Sequence, residues 1–258
     1  MKFRIYYNAL LLTGVLFFLS SCASRKDMAY LQDIETNKAN ADTLQYELKL
    51  QPDDLLTIIV SAENPEITNP FNLPFIQANY AIENSQAGIK TYLIDKSGNI
   101  DFPVLGEVQL ANLTRVEANK KMVSLISKYI KTPVVNIKIL NYKISVLGEV
   151  NHPGVFSISS ERVTLLEALA LAGDLTVYGK RDNLILIREI DGKKSYNRVN
   201  ITNSDFVNST FYYLAQNDLI LVEPNKTKMN NSKYGPNITS FIAIASLLIT
   251  TSVLIFRK

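Results

Sequence analysis

Two apolar segments, one near each end of the 258-residue chain, most constrain how it can fold. Residues 9–19 form an 11-residue apolar core behind Lys2 and Arg4. This pattern is typical of a secretory signal peptide, and the core is too short to span a bilayer. Residues 238–256 form a 19-residue segment without charge, a length that predicts a transmembrane helix. We therefore expect the water-facing part of the protein between these two segments.

The predicted signal peptide ends at the only cysteine of the chain. Ser20 and Ser21 precede Cys22, and small residues directly before a cysteine resemble a bacterial lipobox. In such a motif the cysteine sulfur receives a diacylglycerol, which with further acylation anchors the chain stably to membrane lipid. The alternative is a free buried cysteine, but the distance from the apolar core favours lipidation. We predict that residues 1–21 are removed and that Cys22 is lipidated.

Ala23 stands where an aspartate would signal inner-membrane retention, and this favours the outer membrane.

The composition excludes several classes of protein. With 47% hydrophobic and 20% charged residues the chain is neither low-complexity nor largely disordered. A net charge of +3 leaves no basic excess for nucleic acid. One histidine and one cysteine are too few to supply the ligands of a His/Cys metal site. We therefore expect no cofactor, no metal and no nucleic-acid partner.

The middle of the chain predicts two small α+β units in series, behind a polar tether at residues 22–45. Each unit combines strand segments with one helix. Residues 95–98 have the length of a hairpin loop between two strand segments, and Asp191-Gly192 is a strong hairpin signal. Strands are predicted at residues 55–60, 91–94, 99–102, 134–140, 144–150, 184–187, 196–201 and 219–222.

Both predicted helices begin with a capping box. Thr114 with Glu117, and Thr164 with Glu167, would each satisfy backbone N–H groups that the first helical turn leaves unpaired. We expect the first helix to continue until Pro133, which cannot extend it. Its apolar face is predicted to comprise Val116, Met122, Val123, Ile126, Tyr129 and Ile130.

Two short strings recur along the chain. The string Leu-Gly-Glu-Val occurs at residues 105–108 and again at residues 147–150. The string Asp-Leu-Leu-Thr-Ile at residues 54–58 is echoed by Asp-Leu-Ile-Leu-Val at residues 218–222. This recurrence favours two related units over one larger domain.

In their order along the chain, these motifs resemble the outer-membrane polysaccharide export family (Wza-type) from about residue 45 to residue 223. The opening of the first unit, the turn at residues 95–98, the two capped helices and the segment at residues 146–154 carry the resemblance. The family-motif positions, interpreted as structural, are Asp54, Gly98, Pro103, Gly106, Gly148, Pro153, Gly154, Gly173 and Asp218. Asp53, Asn217 and Asp174 depart from the family by standing where glycine is common, and left-handed turns tolerate Asp and Asn.

The resemblance implies an α+β fold of two small domains followed by a single C-terminal transmembrane helix. The expected divisions are a signal peptide at 1–21, a lipidated tether at 22–45, a polysaccharide-export domain at 46–142, one β-grasp domain of the SLBB type at 143–224, a linker at 225–237 and the helix at 238–256. It also implies a subunit of a ring-shaped translocon in the outer membrane, with its soluble domains in the periplasm. Polysaccharide in transit and an inner-membrane polysaccharide copolymerase or tyrosine autokinase are the implied partners.

Small side chains follow one stripe of the C-terminal helix. Thr239, Ala243, Ser246 and Thr250 lie on this stripe, either lining a pore or packing against another helix. Helices about 10 Å across leave a lumen of only roughly 4 Å in a ring of four, but roughly 10 Å in a ring of six. We therefore expect a cyclic homo-oligomer of at least six chains if the stripe lines a pore.

Catalytic interpretations of the sequence are weak. Asp53 and Asp54 could form a carboxylate pair, but adjacent residues at a turn after proline more often shape the backbone. His152 lies in a predicted turn, where exposure without a chemical role is more common. We therefore predict that the protein is not an enzyme. The alternative function is a lipoprotein attached at both ends that scaffolds an envelope complex or binds glycan without a pore; a glycan hydrolase ranks third.

Overall fold

The computed structural model describes residues 28–34, 47–72, 91–190, 192–234 and 237–255. These residues form two α+β units, each with its own hydrophobic core, and this confirms the predicted fold class for the soluble part. The predicted signal peptide and Cys22 lie outside the described residues. The predicted domain boundaries remain predictions.

The first unit contains a small antiparallel sheet, a separate hairpin and one helix. The sheet has the order β2–β1–β5, and the hairpin pairs β3 with β4. Their bounds are β1 Leu55–Ser61, β2 Tyr92–Leu93, β3 Asn99–Phe102, β4 Gly106–Gln109, α1 Arg115–Ile126 and β5 Val134–Ile139, with a short 3₁₀ helix at Pro65–Phe71. In β1 and β5 buried residues alternate with more exposed ones, which is the pattern of a sheet with one face on the core.

The predicted hairpin across residues 91–102 is wrong. A turn does form at residues 95–98, where the Asp95 side chain accepts hydrogen bonds from the backbone N–H groups of Ser97 and Asn99. The strands on either side of it then diverge: β2 pairs with β1, whereas β3 pairs with β4. Pairing is decided by long-range contacts that the turn sequence does not encode.

Helix α1 begins as predicted and ends earlier than predicted. Both halves of the capping box at Thr114 and Glu117 are present. The helix ends at Ile126, well before Pro133. Its buried face also differs from the prediction. Ala118, Met122 and Ile126 are buried at four-residue spacing, and Ile130 is buried just beyond the end of the helix, whereas Val116 and Tyr129 are exposed. The buried face of the helix is therefore narrower than the face predicted from its apolar residues.

The second unit is a five-stranded mixed sheet with one helix. The strand order is β7–β6–β10–β8–β9, in which β6 and β10 run parallel and the other neighbours run antiparallel. The bounds are β6 Lys143–Gly148, β7 Gly154–Ser157, α2 Leu165–Leu171, β8 Leu184–Ile190, β9 Lys193–Val199 and β10 Leu219–Val222, with a short 3₁₀ helix at Ser204–Asn208. Helix α2 carries the predicted capping box at Thr164 and Glu167, and β8 and β9 form the predicted hairpin.

The recurring Leu-Gly-Glu-Val string does not mark equivalent positions. Gly106 begins β4, whereas Gly148 ends β6. Only the aspartate string recurs at equivalent places, because Asp54 directly precedes β1 and Asp218 directly precedes β10. The inference of two related units from the Leu-Gly-Glu-Val string was therefore wrong at the level of residue positions.

Two helices follow the second unit. Helix α3, Lys226–Tyr234, occupies most of the segment that was predicted as a linker, and helix α4 spans Asn237–Ile255. Asn225 caps α3 by accepting a hydrogen bond from Lys228 N at 3.0 Å. Within the described residues, no helix combines the length and the apolar character needed to cross a membrane. The transmembrane helix predicted at 238–256 therefore has no support from the structure.

Candidate functional site

The two aspartates at residues 53 and 54 have different surroundings. The Asp54 carboxyl is buried, and its Oδ2 accepts a hydrogen bond from Gln51 N at 2.8 Å. Asp53 is exposed and adopts a left-handed φ of 71°. Burial, aided by the charge of Asp53 and opposed by the hydrogen bond from Gln51, raises the pKa of Asp54 to about 6. The pair therefore closes a turn and does not form an open acid/base site.

Asp218 closes the same kind of turn in the second unit. Its Oδ2 accepts a hydrogen bond from Ala215 N at 2.7 Å, and the preceding Asn217 has a left-handed φ of 63°. Here the buried carboxylate also faces Arg188, whose Nη2 lies 2.7 Å from Oδ2. Burial raises the pKa of Asp218, and the guanidinium opposes this rise. The motif aspartates thus share one structural role.

The glycine and proline of the first motif shape the β3–β4 hairpin. Gly98 has a left-handed φ of 86°, and a Cβ there would lie 2.7 Å from the Cβ of Ala111. Its carbonyl accepts hydrogen bonds from Leu110 N and Ala111 N. Pro103 and Gly106 flank the tip of the hairpin. Gly98 therefore ties the start of the hairpin to Leu110 and Ala111, the residues that directly follow β4.

The second motif joins two loops at one end of the second unit. His152 N donates to Ala172 O at 2.8 Å, and Asn151 Nδ2 donates to Gly173 O at 2.7 Å. Gly173 packs so closely that a Cβ would lie 2.6 Å from the His152 ring. Pro153 and Gly154 then lead into β7, and His152 itself is exposed. No acid or base faces His152 in these contacts, so they indicate a structural role for the loop.

A cleft of about 640 Å³ separates the two units. An ion pair crosses it, with Arg115 Nε 2.9 Å from Glu161 Oε1. Arg162, Ser159 and Ser160 line the same cleft beside apolar side chains of the first unit. Charged groups, hydroxyls and aliphatic surface together are able to bind a hydroxyl-rich ligand. This cleft has no local sequence signal, because the residues that line it lie far apart in the chain.

Residues 28–34, inside the predicted tether, are held on the second unit. Leu31 N and Gln32 N donate to the carbonyls of Ile201 and Thr202, and Ser204 N donates to Asp33 Oδ1. This segment is therefore not a free tether.

Tyr30 fixes the same segment through its side chain. Its hydroxyl donates a hydrogen bond to Asp174 Oδ1, and its ring lies 5.5 Å from the guanidinium carbon of the buried Arg181. Burial and the hydrogen bond to Asp174 raise the pKa of Tyr30. A lone aromatic residue within a polar stretch was the only signal that the sequence offered.

The stripe on α4 remains apart from these features. Ala243, Ser246 and Thr250 are exposed, and the two hydroxyls donate to carbonyls of their own helix. The Thr239 side chain is not among those that the structure describes. Among the described residues, no three His, Cys, Asp or Glu side chains are grouped to hold a metal ion.

Comparison with protein families identifies both units. A family described as polysaccharide biosynthesis/export protein matches residues 42–140. A second, described as SLBB domain, matches residues 142–222. The two matches are consecutive along the chain.

Two relatives extend the similarity over both units. The EPS I polysaccharide export outer membrane protein EpsA of Ralstonia solanacearum is 28% identical over 199 residues, which is 73% of this chain and 52% of the relative. The protein of the same name from Ralstonia nicotianae is 29% identical over 166 residues, 60% of this chain and 43% of that relative. The chain thus spans about half the length of the curated relatives it matches.

Proposed function

The chain belongs to the Wza-type polysaccharide export family, and from this premise we propose that it is a non-enzymatic subunit of a conduit that exports capsular or exopolysaccharide. The consecutive matches to the two domains carry this proposal. In it, energy comes from polymer synthesis elsewhere, and the chain makes and breaks no bonds. The buried, backbone-bonded motif aspartates support a structural role for the residues that could otherwise suggest catalysis.

The junction between the two units suits the wall of a conduit. Asn141 Oδ1 accepts from Leu55 N at 2.9 Å, and Asn141 Nδ2 donates to Asp53 O at 2.8 Å. Its own carbonyl accepts from Gln216 Nε2 of the second unit at 2.8 Å. One residue therefore holds both units, which limits their relative movement.

We place the protein at the outer membrane, anchored through Cys22, with both units in the periplasm. Five residues lie between Cys22 and Met28, and the six Cα–Cα steps that join them span at most about 20 Å. Since residues 28–34 are held on the second unit, the lipid surface would lie close to that unit. The names of the two relatives support the outer membrane.

The proposed partners are further copies of the chain, the polysaccharide in transit and an inner-membrane polysaccharide copolymerase or tyrosine autokinase. We propose a cyclic homo-oligomer. A minimum of six chains follows only from a ring of pore-lining helices, and the proposed homo-oligomer does not require such a ring. The stripe at Thr239, Ala243, Ser246 and Thr250 is then proposed for helix packing between copies.

A second candidate function is favoured by the cleft between the units. A scaffold lipoprotein that binds glycan without forming a passage would use the polar groups of Arg115, Glu161 and Arg162 for sugar hydroxyls. The conduit remains our first proposal because the family domains cover most of the described chain.

Oligomeric state tests the conduit directly. The full chain is extracted from membranes in mild detergent, and its native mass is measured by light scattering or mass spectrometry. A closed ring of three or more copies is expected. A monomer, or a dimer that does not extend, would contradict the conduit and favour the scaffold.

A further inference from the structure

One face of the five-stranded sheet is apolar and faces away from helix α2. We call it the outer sheet face and define it by Val155, Ile185, Ile187, Tyr196, Leu219 and Leu221. One row of it crosses all five strands in register, running from Val155 through Ser145, Leu219 and Ile187 to Tyr196. Val155 and Tyr196, at the two ends of this row, are 65% and 69% exposed. No described segment therefore covers either end of the row.

Two of the three interior strands, β8 and β10, have the composition of strands that are covered on both faces. Strand β8 begins Leu-Ile-Leu-Ile, and β10 reads Leu-Ile-Leu-Val. Strands with one solvent-exposed face normally alternate apolar and polar residues, whereas continuous apolar runs are typical of sheets buried on both faces. The inner half of these runs packs in the core of the second unit. The outer half is therefore expected to have a partner.

The β3–β4 hairpin of the first unit carries a matching apolar tip. Val104 at the tip is 52% exposed and has a φ of 69°, a left-handed conformation that is strained for a β-branched residue. Asp101 and Glu107 lie directly opposite each other behind the tip, and both are exposed. Like charges in that position destabilise a hairpin. In the part of the chain that the structure describes, no ion pair joins either carboxylate to a cation.

The outer sheet face carries the complementary charge. Lys143 stands on β6 beside the apolar row, and Arg198 stands on β9 directly opposite Ile185. Arg198 is largely exposed, and its nearest carboxylate, Glu223, is 3.9 Å away. Glu189, the acid on this face, is itself paired with Lys194. An acidic hairpin with an apolar tip therefore matches the face in both charge and polarity.

From these observations we propose that the β3–β4 hairpin of one copy docks on the outer sheet face of the next copy. The contact is heterologous, because two different surfaces of the chain meet, and such contacts close into rings when the rotation between copies allows it. In this contact Tyr196 is the aromatic anchor against Val104, and Arg198 and Lys143 neutralise Asp101 and Glu107. The inference rests on the proposed homo-oligomer and names the surfaces that build it.

Paired cysteines test the contact in the full-length chain in membranes. Val104→Cys and Tyr196→Cys are introduced together, and a short bis-maleimide is added. A ladder of dimers, trimers and larger species is expected on a denaturing gel. Each single variant should give no more than the background of the parental chain, which contains only Cys22. A matched control pairs Val104→Cys with Ile59→Cys, because Ile59 is also about half exposed but lies on the sheet of the first unit.

Charge reversal provides a second test that does not depend on cross-linking. Asp101→Lys with Glu107→Lys should lower the ring fraction at a fixed protein concentration at least tenfold, and Lys143→Glu with Arg198→Glu should restore it. Two results would overturn this interface and leave the proposed function standing. One is a ring of native mass that gives no Val104–Tyr196 ladder. The other is a ring whose assembly is unchanged by Asp101→Lys with Glu107→Lys. A dimer formed by Val104→Cys alone also overturns it, since that contact would be isologous. A monomeric native mass defeats the proposed function itself.

Discussion

The guanidinium of Arg188 donates two hydrogen bonds to the carboxylate of Asp218, with Nη2 2.7 Å from Oδ2 and Nε 2.9 Å from Oδ1. Asp54 holds the equivalent turn of the first unit, where its Oδ2 accepts a hydrogen bond from the backbone N–H of Gln51. The same turn is therefore built twice with different electrostatics. In the second unit a cation, Arg188, lies beside the buried Asp218 carboxylate and opposes the rise of its pKa. In the first unit burial raises the pKa of Asp54 to about 6.

Removal of the Arg188 guanidinium should strongly destabilise the second unit. Arg188→Met leaves the fully buried Asp218 carboxylate without its cation, and breaking a buried pair in this way costs about 3–5 kcal/mol. Chemical denaturation followed by circular dichroism measures the change. Lys194→Ala is the matched control, since its pair with Glu189 is exposed and should contribute under about 1 kcal/mol. Equal losses in the two variants would contradict the account.

Asp54 should make the stability of the first unit depend on pH. Its folded pKa of about 6 lies above the ordinary value of 3.8, so the folded state binds the proton more tightly than the unfolded chain. The stability from this group is present below pH 4 and is lost as the pH rises to about 6. Asp54→Asn stays neutral and can still accept from Gln51 N. The free energy of unfolding of Asp54→Asn, relative to that of the wild type, should therefore rise by up to about 3 kcal/mol between pH 4 and pH 7. A constant difference across that range would refute the assigned pKa.

Gly148 should tolerate alanine much less well than Gly192. Both glycines have left-handed φ values, 94° and 72°, so both substitutions carry about 1 kcal/mol of backbone strain. A Cβ at Gly148 would also lie 2.1 Å from Val222 O, whereas nothing lies within 4 Å at Gly192. Overpacking should raise the loss for Gly148→Ala to about 3 kcal/mol. Thermal unfolding of the two variants measures the difference, and similar melting temperatures would contradict the close approach of β6 and β10.

Local chemistry made much of the fold predictable. Thr114 with Glu117 and Thr164 with Glu167 marked both helix starts, because a capping box is complete within four residues. Asp191-Gly192 likewise marked the β8–β9 hairpin. These features depend on neighbours in the sequence, which a single sequence displays directly.

The rest depends on contacts between distant residues. Strand β2 pairs with β1 across a long stretch of chain, and the turn at residues 95–98 gives no indication of that choice. Tyr30 reaches Asp174 in the same way, so a polar segment that looked like a tether is held on the second unit. The end of α1 at Ile126 likewise comes well before Pro133, so the proline does not end the helix. Long-range packing of this kind has no local signal.

Lipidation at Cys22 is expected because no other cysteine in the chain can replace its sulfur. Cells that express the wild type or Cys22→Ala are labelled with radioactive palmitate, and the protein is recovered with an antibody. Label should enter the wild type and be absent from Cys22→Ala. Ser21→Ala is a suitable control, since a small residue remains before the cysteine and labelling should persist. Label in Cys22→Ala at the wild-type level would show that the lipobox interpretation is wrong.

The most direct test of the conduit is the location of the polysaccharide in cells that lack this protein. If the chain exports finished polymer, deletion should leave polymer of unchanged linkage inside the cell envelope and remove it from the surface and medium. Expression of the full chain should restore surface polymer. Normal amounts of surface polymer in the deletion strain, or retained polymer with altered linkages, would contradict a passive role in export.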